Sequence, residues 1–296
     1  MRYHFFAILA FVVWGLTPVF FHYFPAENMA ELWAQRIIWS FVLVVLWLKF
    51  TSEKVDLKRL WNDKRSFLAI SISGLLMNVS WYGFVYALSN NYVLDASMAY
   101  FIAPILTAGF SWFLFKDKTD NIQRLSLLLM CGALIYLAVS QGVAPSLSLV
   151  IAVSFAAYMA LKKLSKFSNK ENLYVENLIQ LPAALITVLV VAVTYDSSQA
   201  GIPYYVLLGA VFLQIIPVFL LSAAISNVNL QKIVIYQYVE PTLHFLLAVF
   251  VYHERLDKPL FNTLIIVWVA ITLWLCNEKK KSSKANIQRK PNLTEN

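Results

Sequence analysis

Asp95-Ala-Ser-Met-Ala-Tyr100-Phe101-Ile-Ala-Pro104-Ile-Leu106, followed by Phe113-Leu-Phe115-Lys-Asp117-Lys118-Thr-Asp120, recurs later in the chain. The second copy reads Lys232-Ile-Val-Ile-Tyr-Gln237-Tyr238-Val-Glu240-Pro241-Thr-Leu243, followed by Phe250-Val-Tyr252-His-Glu254-Arg255-Leu-Asp257. At one constant offset, Pro104/Pro241, Leu106/Leu243, Phe113/Phe250 and Asp120/Asp257 are identical. Phe101/Tyr238, Phe115/Tyr252, Asp117/Glu254 and Lys118/Arg255 are conservative partners, and a weaker echo pairs Glu31 and Gln35 with Glu176 and Gln180. Both long copies lie in apolar sequence.

The whole 296-residue chain is apolar: 60% hydrophobic and 14% charged, with a mean hydropathy of +0.65. Soluble chains average about 45–50% apolar and about 25% charged. Too little charge is present to build a water-facing surface, which excludes a disordered chain, a disulfide-stapled secreted module and an ordinary cytosolic enzyme. Cys131 and Cys276 lie in apolar stretches without zinc-type spacing and read as packing residues. Crossing hydrocarbon as a helix takes about 20 apolar residues. Ten such stretches follow one another, near 4–24, 30–50, 66–88, 92–115, 122–140, 146–164, 173–194, 203–225, 230–252 and 260–277. They are apolar all round rather than alternating, which is wrong for a β-barrel. The first contains Trp14 and Pro18 and ends at Phe24-Pro25 without a small-residue cleavage site, so it reads as a retained helix rather than a signal peptide.

Basic residues set the orientation. With the N-terminus inside, the outward loops hold only Arg255 and Lys258, and Arg36 lies within a span. Every other one of the 24 basic residues, Lys162 and Lys163 included, falls on the inner side. The expected location is therefore a bacterial inner (cytoplasmic) membrane protein, multi-pass, with both termini cytoplasmic. Leu57, Leu60 and Trp61, spaced i, i+3, i+4 among charges, read as a short helix on the inner surface.

The repeat unit is five helices, an odd number, so the second copy must enter the membrane the other way up. The expected fold is an all-α integral membrane protein with ten transmembrane helices in two inverted-topology five-helix repeats, 1–141 and 142–278. A basic cytoplasmic tail, 279–296, is expected to be disordered. Inverted repeats are characteristic of transporters, in which two halves rock around a midplane site, although a duplicated membrane protein need not transport.

Several strings carry a family resemblance: Phe11-Val-Val-Trp14-Gly15-Leu-Thr-Pro18, Glu31-Leu-Trp-Ala-Gln-Arg36-Ile-Ile-Trp39-Ser40, Asn78-Val-Ser-Trp81, Ala96-Ser-Met-Ala-Tyr100-Phe101-Ile-Ala-Pro104 and Tyr236-Gln237-Tyr238-Val-Glu240-Pro241-Thr242-Leu243. From residue 4 to about 277 the chain resembles the RarD-type EamA permeases of the drug/metabolite transporter superfamily. The resemblance implies ten helices in two inverted halves, a bacterial inner membrane, and a central cavity lined mainly by spans 1, 3, 4, 6, 8 and 9. Members are commonly labelled chloramphenicol-sensitivity proteins or metabolite exporters, a label that identifies no substrate. A small residue is common before the span-nine proline, so Glu240 departs from the family pattern.

Ionisable groups inside a span are functional suspects because burial costs several kcal/mol unless they are paired or hydrated. Arg36 lies about 7.5 Å of helical rise inward of Glu31. It needs an acceptor, and the candidates are Glu31, a carbonyl of a neighbouring helix or a substrate carboxylate; a Glu31–Arg36 pair locking the helix packing is preferred. Glu240 falls about 15 Å from the inner end of span nine, near the midplane, and shares a face with Tyr236 at i−4 and His244 at i+4. Glu240 and His244 are candidates for proton coupling, with a hydrogen-bonded structural acid as the rival reading. Trp14, Asn78, Trp81, Tyr82, Tyr100, Tyr158, Gln214, Tyr236 and Gln237 are candidate substrate-binding residues, with helix–helix hydrogen bonding as the alternative. Asn78, Trp81 and Tyr82 sit at i, i+3, i+4 and are expected to share a face. Tyr23 and Tyr204 read as interfacial-belt residues. Pro18, Pro104, Pro182, Pro217 and Pro241 lie within spans, where each frees a backbone carbonyl. Pro18, Pro104, Pro217 and Pro241 are candidate hinges.

No G-x-x-x-x-G-K-[ST] loop is present, so ATP is not the expected energy source. The metalloprotease and nucleophile-elbow motifs and any Cys/His metal cluster are also missing, so no cofactor or metal is expected. The expectation is a secondary-active transporter, not an enzyme, that exports small organic metabolites or amphipathic drugs by alternating access. Its expected partners are a small-molecule substrate and membrane lipid but no nucleic acid, as a monomer or homodimer. An uncoupled facilitator, an exchanger or an uptake permease is the nearest alternative; a membrane enzyme or an assembly protein is the more distant one.

Overall fold

The computed structural model describes residues 2–23, 29–50, 55–90, 93–142, 146–194, 208–253 and 257–289. Lys54, Tyr204, Glu254, Arg255 and the tail end 290–296 lie outside the described residues, as do the side chains of Tyr23 and Asp95. Among the described residues there is no strand, and ten helical segments are long and apolar enough to cross a membrane. They coincide with the ten stretches expected from the sequence.

Span one is α1 (Arg2–Gly15) and α2 (Thr17–Tyr23), interrupted at Leu16. Pro18 explains the interruption, because it has no amide hydrogen for the Trp14 carbonyl one turn back. Span two is α3 (Met29–Phe50). The short α4 (Leu57–Asn62) follows, capped by Asp56, whose carboxylate accepts from the Arg59 amide at 3.0 Å. Its Leu60 is buried against Ile70, Phe167 and Val175, whereas Trp61 is exposed. Span three is α5 (Lys64–Ser89), which starts where Asp63 accepts from the Ser66 amide at 3.1 Å and hydroxyl at 2.8 Å. Spans four to seven are α6 (Val93–Phe115), α7 (Asn121–Gln141), α8 (Ser146–Leu164) and α9 (Asn169–Thr194). Pro104 sits inside α6 and Pro182 inside α9 without ending either helix.

Span eight starts with a π-helical turn, Ala210–Ile215, and continues as α10 (Ile216–Asn227) with Pro217 in its first turn. Span nine is α11 (Leu230–Gln237) and α12 (Val239–Phe250), divided at Tyr238 just before Pro241. Pro104 and Pro241, alike in sequence, thus differ in effect: one sits in a continuous helix, the other beside a break. Span ten is α13 (Lys258–Arg289), whose helix runs on into the segment expected to be a disordered tail.

The chain forms two compact units. The larger comprises Met1–Asp117 and Pro145–His253 and contains α1–α6 and α8–α12. Here α1 packs on α10, α3 on α9, α5 and α6 on α8, and α11 on α6. Small residues allow the close approaches that helix packing in lipid depends on. Ser73 and Ser80 of α5 donate to the carbonyls of Tyr158 (3.2 Å) and Ile151 (3.0 Å) on α8. A Cβ on Gly83 would lie 2.9 Å from Ile151 Cγ1, and one on Gly15 would lie 2.7 Å from Leu243 Cδ1 and 2.9 Å from Leu243 Cβ. Only glycine fits between α1 and α12 at that point.

The smaller unit, Lys118–Ala144 and Glu254–Asn296, pairs α7 with α13. Asp120 and Gln123 form a capping box at the start of α7. Across the pair, Asn277 donates to Asp120 at 2.7 Å, Gln123 to Glu278 at 3.0 Å and Asn262 to the Tyr136 hydroxyl at 3.0 Å, and Lys281 also engages Asp120. Asp257, the repeat partner of Asp120, likewise stands just before its helix.

Candidate functional site

The larger unit encloses a cavity of about 60 Å³. Its walls come from α1, α2, α5, α6, α8 and α11–α12, that is, from spans one, three, four, six and nine. Drug-sized ligands need about 300 Å³ or more, so the cavity is smaller than a site of that class. The wall of α5 is Met77, Ser80, Trp81 and Phe84, spaced i, i+3, i+4, i+7, which is one helical face. Span one supplies Phe11, Trp14 and Thr17, span four Tyr100, span six Phe155, and span nine Gln237 and Glu240.

Trp14 is fixed from several sides. Its ring meets Phe155 edge-on at 5.9 Å and lies 5.8 Å from Phe11. Its indole N–H donates to the Leu213 carbonyl at 3.1 Å. That carbonyl would ordinarily take the amide hydrogen four residues on, but residue 217 is proline. The Trp14 carbonyl in turn lacks the amide of Pro18 and accepts from the His244 imidazole. The two carbonyls freed by Pro217 and Pro18 thus anchor side chains from other helices.

Glu240 is the one carboxylate in the cavity wall among the described residues, and the Tyr100 hydroxyl hydrogen-bonds to it. Tyr100 is held edge-on by Phe84 and by His244, each at 5.1 Å between ring centres. Gln237 accepts from Thr107 at 3.5 Å, and its amide nitrogen has no hydrogen-bond partner. Arg36 is 1% exposed and lies 3.8 Å from the centre of the Trp81 ring, stacked on a residue of the cavity wall. None of its guanidinium nitrogens has a hydrogen-bond partner. The Glu31–Arg36 pair expected from the sequence is therefore not made, and the indole face replaces the carboxylate.

Of the candidate residues, Trp14, Trp81, Tyr100, Gln237 and Glu240 meet at the cavity, with His244 immediately behind Tyr100 and Trp14. The others do not line it. Asn78 and Tyr82 share the expected helix with Trp81 but fall off its cavity face; Tyr82 is half-exposed, beside Trp33. Gln214 is buried in the π-helical turn, and Tyr236 pairs its hydroxyl with His4 Nδ1 at 2.9 Å. Tyr158 is wholly buried, and its hydroxyl accepts from Lys162 Nζ at 3.1 Å.

Lys162 belongs to an arrangement that sequence reasoning missed. Counted with the inner-loop charges, it is instead 1% exposed and ion-paired with Glu176 of α9 at 2.7 Å. Ser73 of α5 donates to the same carboxylate at 3.5 Å. Lys163 caps α10, donating to the carbonyls of Ile225 (3.1 Å) and Val228 (2.6 Å). The available signal was Glu176, an acid in an apolar span that demands a buried cation within reach.

The profile of the EamA-like transporter family matches residues 1–139. Protein RarD of Salmonella typhi is 30% identical over 276 residues, covering 91% of this chain and 92% of its own. Protein RarD of Escherichia coli is 28% identical over the same shares of both chains. An uncharacterized transporter of Bacillus subtilis, YojE, is 26% identical over 94% of this chain and 95% of its own. A protein of known crystal structure superposes with a TM-score of 0.67 at 15% identity, over 92% of this chain and 97% of that one, and so shares its fold.

Proposed function

The chain belongs to the RarD-type permeases of the EamA-like transporter family and is a multi-pass bacterial membrane transporter, and from that premise we propose that it is a secondary-active exporter working by alternating access. Its cargo is a small aromatic or amphipathic organic solute, and its membrane is the inner one, with both termini cytoplasmic. The observation that carries this reading is the small aromatic cavity, built from three spans of the first half and two of the second, with a carboxylate in its wall. Alternating access requires such a chamber between two halves that move against each other.

The pairing of helices supports the two-halves reading. Span three packs on span six and span one on span eight; two packs on seven, four on nine and five on ten. Exchanging the two halves turns the three–six contact into the eight–one contact and returns the other three pairs to themselves. Inverted repeats related by a twofold axis in the membrane plane have this property.

Glu240 is the proposed proton-coupling group and His244 its neighbour, because a carboxylate in the cavity wall is reachable from whichever side the cavity opens. The test is uptake of a panel of aromatic and amphipathic metabolites into proteoliposomes, with and without a pH gradient. Saturable flux that the gradient drives in the wild type, and that loses its gradient dependence in Glu240→Gln, is expected. Gradient-independent wild-type flux would remove the coupling, and no saturable flux of any compound would remove the transport reading.

A further inference from the structure

We propose that the cavity selects organic cations, taking an ammonium headgroup against Glu240 and its apolar or aromatic body against the rings of Trp14, Phe84, Tyr100 and Phe155. This rests on the transporter reading and narrows its substrate class. The first argument is the charge inventory. Among the described residues Glu240 is the cavity wall's one carboxylate, and no Lys, Arg or His side chain lines it. The second is the character of the remaining wall. Aromatic rings present electron-rich faces that attract cations and repel anions, most strongly where water is excluded. A carboxylate among such faces in a low-dielectric chamber makes the whole cavity electronegative. An anionic solute would meet repulsion there, and the nearby Arg36 guanidinium lies against the Trp81 ring rather than in the wall.

The site already displays the interaction it is proposed to use. The Arg36 guanidinium, without a hydrogen-bond partner, rests on the Trp81 ring. Arg36 lies against the Trp81 ring, and the group left in the wall to meet a ligand cation is the Glu240 carboxylate, hydrogen-bonded by Tyr100. His244, the other basic group nearby, is turned to the Trp14 carbonyl and the edge of Tyr100 and is not part of the wall.

The test is equilibrium binding to the full chain in lipid nanodiscs, with benzyltrimethylammonium as cation, benzyl alcohol as neutral analogue and phenylacetate as anion. The cation is expected to bind about tenfold or more tighter than benzyl alcohol, and phenylacetate not to saturate. Glu240→Gln is expected to lose about tenfold in cation affinity while binding benzyl alcohol within about twofold of wild type, and Glu240→Asp to keep the preference. Equal wild-type affinity for cation and neutral analogue, preference for the anion, no saturable cation binding, or an unchanged cation affinity in Glu240→Gln would each overturn the proposal. Flux of the same probes in proteoliposomes separates this from the transport reading. Saturable flux without cation preference overturns the cation site alone, and cation binding without flux of any probe overturns transport alone.

Discussion

At the scale of single residues, buried charges are held in different ways, Arg36 by the Trp81 indole face. Glu240 borders space, whereas Lys162 and Glu176 saturate each other, with Tyr158 and Ser73 completing the set. Breaking a buried pair leaves an uncompensated charge, which costs about 3–5 kcal/mol, while replacing both partners with apolar groups is often neutral. Lys162→Met is therefore expected to lower the thermal unfolding temperature in detergent sharply, and Lys162→Met with Glu176→Leu to recover most of the loss. A double variant no more stable than the single would show that the pair contributes more than mutual neutralisation. The site was legible from the sequence to the extent that its residues are anomalous in lipid: Trp14, Trp81, Tyr100, Gln237 and Glu240 were all identifiable that way. Choosing the face of span three from the polar Asn78 shifted it by one position, about 100° of helix rotation, from the true set of Met77, Ser80, Trp81 and Phe84. Lys162 escaped because hydropathy assigns a lysine at a span end to the loop, whatever its side chain reaches.

At the scale of elements, spacing between helices and closure of their ends decide the packing. Gly15→Ala would place a methyl group 2.9 Å from Leu243 Cβ, an atom that cannot swing aside, whereas Gly83→Ala meets the movable Cγ1 of Ile151. Overpacking of this kind costs about 1–3 kcal/mol. Gly15→Ala is expected to destabilise more than Gly83→Ala in the same unfolding assay, and Leu243→Ala, which removes Cδ1 but keeps Cβ, to recover only part of the former loss. The end of α7 supplies a pH-dependent term. Partial burial pushes the Asp120 carboxyl up, but hydrogen bonds from Lys281, the Gln123 amide and Asn277 outweigh it and hold the group below the ordinary aspartate range. A depressed native pKa means that the stabilisation is complete above an ordinary aspartate's pKa, about 4, and is lost as pH falls through the lower native value. Asp120→Ala is expected to cost about 1 kcal/mol at neutral pH, and the difference from wild type to shrink on acidification below about pH 4. A difference constant across that range would contradict the assignment. Helix positions were readable in advance because twenty consecutive apolar residues have few alternatives in a membrane. The breaks at Leu16 and Tyr238 were announced by Pro18 and Pro241, but the continuity of α6 through Pro104 was not, since the same residue either bends or is absorbed according to its neighbours.

At the scale of the whole molecule, the uneven distribution of basic residues is the ground for the proposed topology, with both chain ends on one side. Fusing green fluorescent protein to either terminus is expected to give fluorescent cells, and fusing alkaline phosphatase to give no activity; the opposite result at either end would overturn the proposed topology. The bends of the chain have a further mechanical consequence. Pro217 and Pro18 would ordinarily mark places where a helix yields. Here each vacated carbonyl is gripped by a ring from another segment, Leu213 by the indole of Trp14 and Trp14 by the imidazole of His244. Spans eight, one and nine are thereby joined in series, like bars of a linkage whose pins are two aromatic rings. In the proposed alternating-access cycle no one of the three would turn far while the other two stand still, so the chamber would open in a single concerted stroke rather than by the independent loosening of one wall.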